Sequence, residues 1–152
     1  MSSQNEKKQA FEVKRLAAPF AIETLSVSEG TFSGEGMVFN TPHPTSSWRL
    51  GPDWQDLVKP GAFAETLAAH EKLGTKPLML YMHERGNIPG VWTSVSESKT
   101  ALKLAGKVSP KAITPSGVPL LELIQMKAIT GLSIGFVPTR VTLDEKAKIR
   151  EI

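Results

Sequence analysis

Apolar side chains recur at every second position in one segment after another of this chain, and at helical spacing in only two. Strands alternate their side chains between two faces, so such segments are read as half-buried strands. Phe11 to Lys14, Ala21 to Val27, Thr31 to Phe39, Gly90 to Val95 and Ala101 to Val108 all carry the pattern. Ser28-Glu29-Gly30 supplies a turn between the second and third, and the last two read as a hairpin. The apolar run Leu78-Met79-Leu80-Tyr81-Met82 predicts a further strand from about Pro77 to His83, and Lys148 to Ile152 a late one after the turn at Asp144-Glu145-Lys146. Helical spacing appears in Phe63, Thr66, Leu67 and His70, ending near Gly74, and again in Leu120, Leu121, Ile124 and Ala128. From His43 to Pro60 the chain is rich in Pro, Ser, Trp and Asp, which predicts a surface loop whose Trp48 and Trp54 pack onto the body. The class is therefore α+β and mainly β, without the strand-helix alternation of a parallel sheet.

At 152 residues the chain fits one domain with its own core. It has no Cys, which excludes disulfides, thiolate catalysis and Cys-ligated metals. The first ten residues form a polar arm without the apolar stretch of a signal peptide, and no apolar run approaches the length of a membrane-spanning helix. The 18 basic and 15 acidic residues are spread along the chain, so the net charge of +3 gives no basic stripe of the kind nucleic acid requires. Three separated His make no metal-ligand spacing, and neither metal nor cofactor is expected. His70 reads as a half-buried helix histidine.

Chemistry enters with Thr130-Gly131-Leu132-Ser133-Ile134-Gly135-Phe136. As a strand it puts Leu132, Ile134 and Phe136 on one face, and Ser133 and Gly135 on the other with almost no bulk beside the hydroxyl. An extended substrate can approach a serine so placed. An imidazole next to it could remove the hydroxyl proton during attack on a carbonyl. Gly131, Ser133 and Gly135 have the spacing of a nucleophile elbow, yet apolar alternation continues past the serine where the elbow needs a strand-to-helix turn. That argues against an α/β-hydrolase. From the residues alone, a serine in a strand and a histidine at a strand end also fit purely structural roles.

Pro60-Gly61-Ala62-Phe63 before a helix, His83-Glu84 followed by Ile88-Pro89-Gly90-Val91-Trp92, and Gly131-Leu132-Ser133-Ile134-Gly135-Phe136 stand in the order and rough spacing of the HK97-type tailed-phage prohead (capsid maturation) proteases, which the chain resembles. That family is similar to the herpesvirus assemblins. The resemblance implies a closed, largely antiparallel β-barrel flanked by helices. It implies a serine endopeptidase packaged inside the procapsid in the bacterial cytoplasm, cleaving scaffold or the scaffolding segment of the major capsid protein, and itself. Carried over, Ser133 is the nucleophile and His83 the general base. Neutral imidazole must accept the proton, so activity is expected to rise with pH around the ordinary histidine value of about 6.5.

An acid should orient the histidine. Glu84 would point to the opposite face of a strand from His83, so Glu151 is the candidate third member. Backbone amides around Thr130 and Gly131 are candidate oxyanion donors, with Gly135 in the substrate cleft and Arg140 a further contributor by analogy with assemblins. Residues 11–152 are read as one protease domain behind a flexible arm at 1–10. It stops at the point where the family continues into another strand, and a neighbouring subunit could cover the open edge. Assemblins work as dimers, which extends the expectation to a homo-oligomer without nucleic-acid or membrane partners. Two rival readings are an inactive procapsid scaffold or binding protein and a small-molecule serine esterase or amidase.

Overall fold

A computed structural model describes residues 12–14 (backbone only), 22–45, 47, 49–132 and 134–152. The arm expected at 1–10 and Trp48 lie outside them. In chain order the elements are β1 (Glu12–Lys14), β2 (Ile22–Ser26), β3 (Thr31–Val38), β4 (His43–Pro44), β5 (Gln55–Leu57), α1 (Ala64–Leu73), β6 (Gly90–Glu97), β7 (Ala101–Val108), α2 (Leu120–Gln125), β8 (Ile134–Phe136), β9 (Thr142–Asp144) and β10 (Ile149–Glu151). The architecture is mainly β with few helices.

The largest ladder is antiparallel in the order β2-β3-β7-β6. Its two hairpins follow from local chemistry. Gly30 takes φ 70° in the turn between β2 and β3, a left-handed conformation that suits glycine. Between β6 and β7 the Ser98 hydroxyl accepts from the amides of Thr100 and Ala101. At the start of β6, a Cβ on Gly90 would stand 2.0 Å from the Lys107 carbonyl oxygen, so only glycine lets the strand close onto β7 there. Across β3 and β7 the Glu35 carboxylate bonds the Lys103 ammonium and raises that lysine above its ordinary value, against opposing desolvation.

A second, mixed sheet runs β4-β5-β10-β9, with β10 parallel to β5, and a two-stranded ladder pairs β1 with β8. The core divides into two clusters. Phe32, Met79, Val108, Leu120 and Ile124 form one, and Met37, Phe39, Val58, Leu102 and Leu104 the other. Trp92 and Leu132 pack against both, and Trp92 meets Phe32 edge-on at 5.7 Å. Leu132 is half-buried, and its contacts with both clusters tie the chain to the core one residue before Ser133.

Three expectations are corrected. Pro77 to His83 forms no strand: Pro77 has no amide to donate, and Met82 and His83 take φ 52° and 61°, which breaks any ladder. The stretch from His43 to Pro60 is not all loop, since β4 and β5 lie in it, and Trp54 is buried there as expected. The helical stripe from Leu120 stops at Gln125, and Ala128 is exposed beyond it. Among the described residues, strand pairing gives three ladders.

Candidate active site

His83 sits on a turn built by its neighbours. After α1 ends at the left-handed Gly74, Met79 drives into the first cluster at 5% exposure and anchors the segment. From Tyr81 to Asn87 the backbone closes on itself. The Tyr81 amide donates to the Asn87 carbonyl at 3.0 Å, the Glu84 amide to Tyr81 at 3.0 Å and the Asn87 amide to Glu84 at 2.9 Å. Met79 is buried, Leu80, Tyr81 and His83 are half-buried, and Leu78 and Met82 are exposed, so the alternation is kept except at Leu80 although no ladder forms. Two consecutive non-glycine residues in the left-handed region cost of order 1–3 kcal/mol each, and such strain concentrates at functional sites.

Ser133 lies outside the described residues. Its neighbours Leu132 and Ile134 pack into the core, and β8 is registered on β1 with Gly135 opposite Val13. Ile134 and Phe136 are half-buried and Gly135 exposed, which matches the expected alternation. Gly131, Leu132, Ile134 and Gly135 line one cavity of about 1100 Å³ together with His83. Glu151 of β10 lines it too, whereas Thr130 is exposed outside that lining. The Glu151 carboxylate stands 3.5 Å from the Lys59 ammonium. Arg140 pairs with Glu65 of α1, both largely exposed, and His70 shares a 2.8 Å hydrogen bond with the Thr75 hydroxyl. Glu84 is exposed on the turn.

Residues 20–152 match the model of the caudovirus prohead serine protease family. The chain belongs to that family. No curated protein and no solved structure matches it. Prohead proteases are serine peptidases of phage capsid maturation, and hydrolysis of a peptide bond is the chemistry this fold has to support.

The prohead protease motifs acquire physical causes in the structure. Pro60-Gly61-Ala62-Phe63 is held by a residue the sequence reading missed. Glu97, at the end of β6, accepts from the Gly61 amide at 2.7 Å and the Phe63 amide at 2.8 Å. It caps α1, which has no side-chain cap of its own, with a charge that also suits the positive end of the helix. Gly61 takes φ 94° to make this possible.

A second omission is more consequential. Asp56 on β5 and Arg150 on β10 form a buried, two-pronged ion pair at 2.8 Å on both oxygens, with side-chain exposures of 0% and 5%. His43 of β4, also buried, stands directly opposite Asp56 in the ladder of β4 and β5. No sequence signal marks the ion pair, because Asp56 and Arg150 are 94 positions apart and share no motif. Among the described residues, no group of three or more His, Asp or Glu is arranged to hold a metal, and no helix is long and apolar enough to cross a membrane.

Proposed function

We propose that this prohead protease cleaves the major capsid protein or a scaffold protein, and itself, inside the procapsid in the host cell, using Ser133 as nucleophile and His83 as general base. The observation that carries the reading is that His83 and the residues on both sides of position 133 line one cavity in a chain of a serine protease family.

In the reaction, the Ser133 hydroxyl attacks the scissile carbonyl while the His83 imidazole takes its proton. The resulting imidazolium returns the proton to the departing amine, leaving an acyl-enzyme. Water, deprotonated by His83, then releases the acid and restores the serine. Glu151 is the candidate acid that orients the ring and stabilises its charged form. Backbone amides around Thr130 and Gly131 are the candidate donors to the tetrahedral oxyanion.

The substrate binds as an extended strand beside β8. Gly135 is exposed there, so the backbone of β8 is accessible to main-chain pairing. Residues 11–152 act as one protease domain. A closed barrel belongs to the same proposal, supported by Ile134 of β8 and Ile152 beside β10 packing on the same cluster as β3 and β7.

A serine-reactive phosphonate probe tests the nucleophile. The wild type is expected to gain one probe mass located on Ser133, and Ser133→Ala to gain none. Labelling that persists in Ser133→Ala would contradict the assignment.

A further inference from the structure

The row of buried charge between β5 and β10 lies outside the reacting groups, and β10 carries the candidate acid. In register, Arg150 faces Asp56 and Glu151 faces Leu57. Neighbouring side chains on a strand point to opposite faces, so burying Arg150 against Asp56 sends Glu151 to the other side. There it meets Lys59 and lines the cavity that His83 also lines.

A slip of one residue would exchange the faces. It would set the Glu151 carboxylate against the fully buried Asp56, like charge upon like. A three-residue strand has few backbone bonds to resist such a slip, and the two-pronged guanidinium-carboxylate geometry supplies the specification they lack. The backbone pairing on either side follows the same register. The Gln55 amide donates to the Lys148 carbonyl at 2.8 Å, and the Lys59 amide to the Ile152 carbonyl at 2.9 Å.

We propose that Asp56 and Arg150 are positioning residues: their buried pair locks β10 on β5 in the one register that presents Glu151 to the cavity holding His83. The inference rests on the reading of Glu151 as the acid of the proposed site.

The test compares four full-length proteins: wild type, Glu151→Gln, the double variant Asp56→Leu with Arg150→Met, and the triple variant. An apolar pair of similar volume often replaces a buried ion pair without loss of stability, so the double variant is expected to stay folded by circular dichroism. The readout is the rate of labelling by the serine-reactive phosphonate across pH.

Glu151→Gln is expected to slow labelling by about 10²-fold, the usual cost of a misdirected catalytic group. The double variant is expected to show the same loss and the same altered pH profile, and the triple variant to be no slower than the double. A folded double variant that labels at the wild-type rate overturns the proposal. So does a triple variant in which the two losses multiply.

Should the double variant not fold, Arg150→Lys keeps the positive charge but loses the fork. Its expected loss of about tenfold should vanish in the Glu151→Gln background, and an equal loss in both backgrounds overturns the proposal. Wild-type labelling by Glu151→Gln would remove the acid reading itself. A slow Glu151→Gln beside a fast double variant removes the positioning role alone.

Discussion

His83→Ala is expected to lower the rate of peptide cleavage by about 10²–10⁴-fold, the range set by loss of a general base, while leaving the protein folded. At about 1.4 kcal/mol per tenfold, this is roughly 3–5.5 kcal/mol of transition-state stabilisation. The fold should survive because the imidazole is half-buried at a turn, and that turn is closed by backbone bonds from Tyr81 to Asn87 and anchored by Met79, none of which uses the histidine ring. The check is a cleavage assay run beside thermal denaturation of the same samples. A folded His83→Ala that cleaves at the wild-type rate would rule out the histidine as the base.

Asp56→Ala is expected to have the opposite signature, a loss of stability of about 3–5 kcal/mol. The magnitude comes from what stays behind. Arg150 is 4% exposed, so removal of the carboxylate strands a guanidinium in the core without the partner that holds both of its prongs. Measured against a whole-domain stability of about 5–15 kcal/mol, this is a large fraction. Urea denaturation monitored by tryptophan fluorescence reads it directly, since Trp54 is buried next to β5. A change below about 1 kcal/mol would mean that water or neighbouring groups solvate Arg150 once its partner is gone.

What the sequence makes legible here is what local chemistry decides. Thr31 to Val38 and Ala101 to Val108 alternate strongly and form strands at nearly the expected limits, and Gly74 ends α1 because a left-handed residue is needed there. The segment before His83 misleads in an instructive way. Its pattern reports the burial of Met79 and the half-burial of Tyr81, but burial alone does not make a ladder, and two left-handed residues end the pattern. β4 and β5 are two or three residues long, so nothing local distinguishes them from loop and distant pairing defines them, whereas β10 falls inside the strand expected at Lys148 to Ile152. The candidate site divides the same way. Ser133 and His83 stand in motifs a reader can see. Glu97 acts 34 to 36 positions from the amides it caps, and Asp56 meets Arg150 across 94, so both become visible only when the chain is folded.

The proposed role of Ser133 is to cut a protein of the procapsid. The most direct measurement incubates the wild type and Ser133→Ala with the phage capsid or scaffold protein and weighs every chain by intact mass spectrometry. Discrete fragments, cut at one or a few defined bonds, are expected from the wild type, and an uncut substrate with Ser133→Ala. Fragments of the same masses from both proteins, or an uncut substrate with a full-length wild type that is folded, would contradict that role.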